Sequence, residues 1–314
     1  MSPQRASQRG FTLVELMVSM VLFAIAIAGV LSVAVSMTQG FREQRQVVAT
    51  ESSVRSPMQF MADAIRGASP AVPSGNIQDV ATCTTGAVTV VNSASAPDQL
   101  DVVFAEGGVV TSLRSTYDGT TNATITVTDP TQILVGDTLL LTNSLQGHLV
   151  HVTAVNTATG VLTIDTPTCA VSLPAGGYPP SSLVIRAVRG RFSISAVDGI
   201  PCLMFDPDAG GPAVAEPLAE NVEDMQIAVG VDVNANGGVD TNEWEYDGTT
   251  GVLAGTIRAI RVTLVARAQN QLQAGTAAFF RPRAEDRPVA TTLDSYRRRV
   301  LTSTIEVRNF TGSP

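Results

Sequence analysis

The stretch Gly10-Phe11-Thr12-Leu13-Val14-Glu15-Leu16 opens a long apolar run and decides how this chain begins to fold. Glu15 is the one charged residue between Phe11 and Thr38. An ionised side chain inside a membrane segment costs about 2.5–3.5 kcal/mol by insertion scales, and such a group usually marks a function and requires a partner. The run therefore predicts a membrane helix that carries one functional carboxylate.

The residues in front of this run predict its orientation. Arg5 and Arg9 precede the apolar segment, and positive charge beside a membrane segment favours the cytoplasmic side. The leader is therefore expected in the cytoplasm, and everything after Gln39 in the periplasm. The helix would be a single-pass anchor in a bacterial inner membrane.

The leader with Arg5 and Arg9, followed by Gly10 and the quoted motif, resembles the type III leader of type IV prepilins. The resemblance implies that a prepilin peptidase removes residues 1–10 by cutting between Gly10 and Phe11. It also implies N-methylation of Phe11 and pairing of Glu15 with the charged chain end of a neighbouring subunit. The implied partners are other pilins, the prepilin peptidase and the inner-membrane assembly machinery.

Two other interpretations of the apolar run remain open at this point. An ordinary secretory signal peptide would be cleaved near Ala26-Ile27-Ala28, although a carboxylate near the start of its apolar core argues against this. A plain membrane anchor would place Glu15 close enough to the interface to reach water.

The first long element is predicted to be one continuous helix, with residues 11–38 in the membrane and residues 39–67 in the periplasm. In the second half, apolar residues recur on one face, at Val47, Val54, Met58, Met61 and Ile65. Pro57 should bend the helix or end a segment of it, and Gly67 should stop it. About 55 helical residues would extend about 80 Å.

After Gly67 the sequence changes to short strand-like runs separated by Gly, Asn, Asp and Pro. Residues 68–314 are therefore predicted to form a β-rich globular head, with 118–175 as an inserted β-subdomain. The run Ala259–Val265 places Ile260, Val262 and Leu264 on one face. The predicted fold class is α+β and pilin-like: a long N-terminal helix packed on an antiparallel β-rich head.

The layout of the head resembles PilW-type minor pilins. The resemblance rests on Pro217–Ile227, which leads into a hairpin, and on a final strand ending Val307-Arg308-Asn309. The GspJ-type pseudopilin of type II secretion has a similar plan. The leader resemblance is specific over about 30 residues, whereas that of the head is diffuse.

One loop of the head matches the calcium-binding pattern D-x-[DN]-x-[DN]-G-x5-E at every fixed position. The predicted ligands are Asp232, Asn234, Asn236, Gly238, Asp240 and Glu243, with Gly237 at the sharp turn. Oxygen ligands in that number suit Ca²⁺. The preceding run Gln226–Val231 is strand-like rather than helical, and a Gly/Asn-rich hairpin turn explains the same sequence without a metal. No other cofactor is expected.

Three cysteines lie in the predicted periplasmic part, where one disulfide is permitted. Cys83 and Cys169 both lie in loop-like sequence and are the predicted pair. Cys202 lies in a strand-like run and is expected to be a buried apolar residue.

Other classes of function lack support in the sequence. The net charge is −8 and no stretch combines Arg with aromatics in a stripe, so nucleic-acid binding is not expected. His148 and His151 are three residues apart in a strand-like run, which points them to opposite faces. The paired acids Glu223 and Asp224 are interpreted as solvated turn residues. No catalytic motif appears, and an enzyme is not expected.

The sequence therefore predicts a minor pilin that joins a type IV pilus, near its tip, and promotes pilus assembly. One alternative is a type II secretion pseudopilin of the GspJ type. Another is a membrane-anchored adhesion module in which the insertion 118–175 binds a surface.

Overall fold

The computed structural model describes residues 13–73, 75–119, 123–166, 173–209, 211, 213–248, 253, 255–271 and 278–307. The first element is helix α1, Leu13–Arg66. The chain divides into two compact units, Met1–Ala49 and Thr50–Pro314, so α1 contributes residues to both.

The first unit consists of helix in its described part. Leu13–Val35 is long and apolar enough to cross a membrane, and none of it is buried within the chain. Large apolar side chains such as Leu22 and Phe23 are more than half exposed. Such a surface is stable only against lipid or against other helices.

The second unit begins with the last part of α1. Val54, Met58, Met61 and Ile65 are buried, as their spacing predicts. The helix continues through Pro57 and ends at Arg66. The N–H of Gly67 donates to the carbonyl of Asp63 at 3.0 Å, so the predicted stop at Gly67 is confirmed.

The head is built from strands, and most of them belong to two sheets. Their bounds are β1 (Ile77–Asp79), β2 (Val88–Val91), β3 (Gln99–Ser112), β4 (Thr124–Thr126), β5 (Thr138–Thr142), β6 (Gly147–Asn156), β7 (Val161–Ile164), β8 (Leu183–Val197), β9 (Ile200–Asp206), β10 (Glu216–Glu220), β11 (Val222–Asp232), β12 (Trp244–Glu245), β13 (Thr256–Arg267), β14 (Phe279–Phe280), β15 (Leu293–Asp294) and β16 (Arg298–Glu306).

The larger sheet has the order β10-β9-β8-β5-β6-β7-β4, with β3 also paired to β8, β2 to β3 and β1 to β6. The pairing of β1 with β6 is parallel, and the other pairings are antiparallel. The smaller sheet has the order β12-β11-β13-β16, and β14 pairs with β15 in a two-stranded hairpin. A helix followed by a mostly antiparallel head confirms the predicted α+β class.

Two hydrophobic cores hold the head together. The first lies between the helical residues Val54–Ile65 and both sheets and includes Phe192, Ile260 and Leu264. The second includes Leu113, Ile125, Leu139, Tyr178 and Val184. Along the sequence, most of its residues lie after β3 and before β8, in the stretch that contains the predicted insertion 118–175. That this stretch is inserted relative to other pilins stays a prediction.

Two features of the head concern the regularity of its strands. Strand β8 continues without a break through Gly190. The polar stretch at residues 269–298 contains β14 and β15 in its described part. Glu285 from this stretch bonds Arg261 and Thr263 of β13, so it is tied to the smaller sheet.

Candidate functional site

Among the predicted processing and assembly residues, Glu15 lies within the part of the chain that the structure describes. Glu15 is in the first turn of the described helix, and its side chain is exposed within the chain. The hydroxyl of Ser19 donates to the backbone carbonyl of Glu15 at 2.7 Å. Gly10 and Phe11 lie outside the described residues.

The surroundings of Glu15 are apolar. Val14, Met17, Val18 and Leu22 line one exposed strip of the helix next to it. A carboxylate on a helix surface of this kind is buried only when lipid or another helix covers it. A cation in the same apolar layer would offset much of the cost of burying that charge.

The calcium-like loop joins β11 to β12. Asp232 and Glu243, at its two ends, are 3% and 2% exposed, whereas Asn234, Asn236 and Asp240 are exposed. The strand that precedes Asp232 confirms that the loop does not follow a helix.

Protein donors already surround the two buried carboxylates. Asp232 accepts from the N–H of Gly237 at 3.0 Å and from Nε of Arg258 at 3.2 Å. Glu243 accepts from the N–H groups of Val233 at 3.1 Å and Asp240 at 2.8 Å. Burial favours a raised pKa for Asp232, but these N–H donors and the guanidinium outweigh it, so its pKa is lowered.

The exposed members of the loop contact one another. The amides of Asn234 and Asn236 both donate to Oδ2 of Asp240, at 3.0 and 3.2 Å. Within the described part of the chain, no group of three or more His, Cys, Asp or Glu residues is arranged to hold a metal. The geometry fits a turn closed by its own hydrogen bonds, and calcium binding stays a prediction.

A buried ionic cluster on the smaller sheet was not predicted. Asp224 is fully buried and accepts from Arg281 at 2.9 Å and Arg287 at 2.6 Å. Gln226 donates to the same carboxylate at 3.0 Å. The interpretation of Asp224 as a solvated turn residue is therefore wrong, because its side chain is fully buried. The sequence pattern did not reveal this, because its arginine partners lie more than 50 residues later in the chain.

Asp98 lies beside this cluster and is 1% exposed. Its carboxylate accepts from the N–H groups of Ser93 and Ile227, both at 2.8 Å. Burial, together with the negative charges of Asp286 and Asp224, outweighs these hydrogen bonds and raises the pKa of Asp98 to about 7.

The two histidines contact different groups. Nδ1 of His148 lies 2.6 Å from the hydroxyl of Tyr178, and burial lowers the pKa of His148 to about 4. His151 lies 2.9 Å from the hydroxyl of Thr138 and 3.7 Å from Asp79. The neighbouring carboxylate of Asp79 raises the pKa of His151.

The cysteines divide into two kinds. Cys202 is free and buried, as predicted. Cys83 is disulfide-bonded. Cys169 lies outside the described residues, so its pairing with Cys83 stays a prediction.

Two family models match the chain. Residues 5–31 match the prokaryotic N-terminal methylation motif, and residues 191–309 match the type IV pilus-assembly protein W. No curated protein and no solved structure gives a significant match.

The first match defines the class, because a methylation motif joined to an N-terminal apolar helix is the signature of prepilin-like proteins anchored in the inner membrane. The second match narrows the class and supports a PilW-type minor pilin of a type IV pilus. A minor pilin of a type IV pilus is a structural subunit rather than a known enzyme, and this class implies interaction with other pilins and with the assembly machinery.

Proposed function

We propose that this protein enters the pilus near its tip and promotes the start of pilus assembly. The observation that supports entry into the pilus is a single carboxylate, Glu15, within the apolar first part of the helix and directly after a processing motif. The precursor would wait in the inner membrane with its head in the periplasm. Cleavage between Gly10 and Phe11 would then create a new, methylated chain end.

The proposed mechanism is a selection of register between neighbouring helices. A lone buried carboxylate is costly, whereas one matched to a cationic chain end in the same apolar layer recovers much of that cost. Glu15 therefore favours the axial position in which it meets Phe11 of a neighbouring subunit. A single polar group fixes helix register in coiled coils in the same way.

Two alternatives share part of this architecture. A GspJ-type pseudopilin of type II secretion would use the same helix, and the match of residues 191–309 to a pilus-assembly protein favours the pilus. An adhesion module would act through the stretch 118–175 without other pilins. Binding of the full chain to a surface in cells that lack all other pilins would favour this third function.

The processing step is tested at the N-terminus. We expect mass spectrometry of the protein from cells that make the pilus to find a chain that starts at methylated Phe11. Gly10→Val should leave residues 1–10 in place, because a branched side chain at the cleaved bond blocks the peptidase. Gln8→Ala, two residues earlier, is the matched control and should be processed normally. A wild-type chain that starts at Met1 or after Ala28 would contradict the proposal.

We further propose that the loop from Asp232 to Glu243 binds Ca²⁺ weakly, with the predicted oxygen ligands and with affinity in the range of about 10⁻⁴–10⁻³ M typical of extracellular modules. The support is the complete match of the loop to the ligand pattern and the inward position of both terminal carboxylates. The ion would stiffen an exposed loop of the head.

Calcium titration of the mature chain in detergent micelles tests this proposal. Trp244 directly follows Glu243 and is the single tryptophan, so its fluorescence should change saturably with Ca²⁺. Asn236→Ala removes an exposed ligand and should weaken binding about tenfold, and Asp232→Ala should abolish it. Asn242→Ala changes an exposed position that the pattern does not use and is the control. If the fluorescence of Trp244 in the wild-type chain does not change with Ca²⁺, the calcium hypothesis is wrong.

A further inference from the structure

In the part of the chain that the structure describes, β16 forms one long edge of the smaller sheet. Its nine residues pair with β13 on one side. Within the described residues, no strand pairs with the other side. The opposite edge of the sheet is β12, which has two residues.

The hydrogen bonds that flank β16 show which backbone groups face outward. The N–H of Val307 donates to the carbonyl of Arg258 at 2.9 Å, and the N–H of Ala268 donates to the carbonyl of Arg297 at 2.8 Å. The register is continuous between these two pairs. Alternate residues of an antiparallel strand point their N–H and C=O the same way. The groups that face away from β13 therefore belong to Arg298, Val300, Thr302, Thr304 and Glu306.

The middle of this edge lacks the features that keep strand edges unpaired, whereas charged residues lie at its two ends. Proline, charge, bulges and short length protect exposed edges. The stretch Val300–Ile305 has no proline, glycine or charged residue, and Thr302 and Thr304 are exposed. By contrast, the edge strand β10 of the larger sheet contains Pro217 and an irregular register. The difference indicates that β16 is paired in the assembled state.

The exposed residues of β16 include an apolar side chain and an arginine. Val300 is 44% exposed, and the side chain of Arg299 is exposed as well. Nε of Arg299 lies 3.8 Å from Glu51, near the start of the helical part of the head. Apolar residues and arginine are enriched in interfaces. Because Arg299 contacts the helix, a neighbour packed against α1 would also reach this edge.

We propose that the outer edge of β16 receives an extended strand from the head of a different pilin-like subunit in the same filament. The partner strand complements the outward backbone groups of β16. A second copy fits less well, because each chain carries a net charge of −8 and two such heads repel each other. This inference rests on the proposed function, which requires neighbouring pilins.

A photo-cross-linking side chain at Thr302, in full-length protein made in piliated cells, tests the occupant. We expect an adduct with another chain whose own N-terminus is a processed, methylated pilin end. An adduct with a second copy, or no adduct, overturns the inference. The same cross-linker at Met20 on the exposed apolar helix reports helix packing independently. Pilin adducts at Met20 without one at Thr302 would refute the β16 inference alone, and their absence at both sites would refute the proposed function as well.

A backbone substitution tests the pairing itself. Thr304→Pro removes an outward N–H and leaves the bonds to β13 in place, because edge strands tolerate proline where the N–H faces outward. We expect at least a fivefold lower yield of the Thr302 adduct in this variant. Thr304→Ala keeps the N–H and should leave the yield unchanged, and thermal unfolding should show that both variants are folded. An unchanged yield in folded Thr304→Pro would overturn the inference.

Discussion

Replacing Glu15 by Val should lower incorporation of the protein into pili by at least tenfold while leaving its processing intact. The substitution removes the charge that matches the methylated chain end of the neighbour, so that this cation would be buried without a partner. Breaking a buried pair by removing one member costs about 3–5 kcal/mol. The measurement is the ratio of the protein in sheared pili to that in the inner membrane, by immunoblot.

Two variants separate the charge from the shape of the helix. Ser19→Ala changes the residue one turn away, whose hydroxyl bonds the backbone carbonyl of Glu15, and should leave incorporation unchanged. Glu15→Asp keeps the charge on a shorter side chain and should retain part of the incorporation. If Glu15→Val enters pili at the normal level after normal processing, the register argument is wrong.

The second large effect is expected on stability, at Asp224. Asp224→Ala should lower the free energy of unfolding by about 3–5 kcal/mol, because Arg281 and Arg287 would stay buried without their shared carboxylate. Urea unfolding of the mature chain in detergent, followed by the fluorescence of Trp244, measures the change within the head.

The matched control for Asp224 is Glu216→Ala. Glu216 is an exposed acid in β10, and its loss should change the free energy of unfolding by no more than about 0.5 kcal/mol. Replacing Asp224, Arg281 and Arg287 together by Leu should recover much of the stability, because well-packed apolar residues often replace a buried ion pair without loss. A loss below about 1 kcal/mol in Asp224→Ala would show that the cluster does not stabilise the head.

Features that depend on local periodicity could be predicted from the sequence. The alternation in β13 placed Ile260, Val262 and Leu264 on one face, and all three are buried in the first core. The same alternation leaves Ile305 buried and Glu306 exposed in β16. The end of α1 at Arg66 followed from Gly67. Each of these depends on neighbours within a few residues.

Features that depend on distant partners could not be predicted. Asp98 receives a hydrogen bond from Ile227, and Asp224 meets Arg281, so no window of sequence contains both members of either pair. Gly190 interrupts the apolar sequence pattern of β8, although the strand itself continues through it. A Cβ at this position would overlap the ring of Phe205. The glycine is therefore required by packing against an aromatic residue of the neighbouring strand rather than by a turn.

The motif was enough to predict Glu15 as the residue of the candidate assembly site, because the motif is a short linear sequence. The calcium-like loop was matched by the same kind of pattern. The pattern did not show that Arg258, from β13, bonds the first of the predicted ligands. A match to a linear pattern therefore does not show whether side chains from other strands, such as Arg258, already occupy the predicted ligands.

The two cores of the head share strands, and this sharing determines how the head unfolds. Leu140 of β5 lies in the first core, whereas its neighbours Leu139 and Leu141 lie in the second, and Ile185 and Val184 of β8 are divided in the same way. Disrupting either core would expose one face of β5 and β8, the strands that contribute to both cores. The head should therefore unfold as a single cooperative unit.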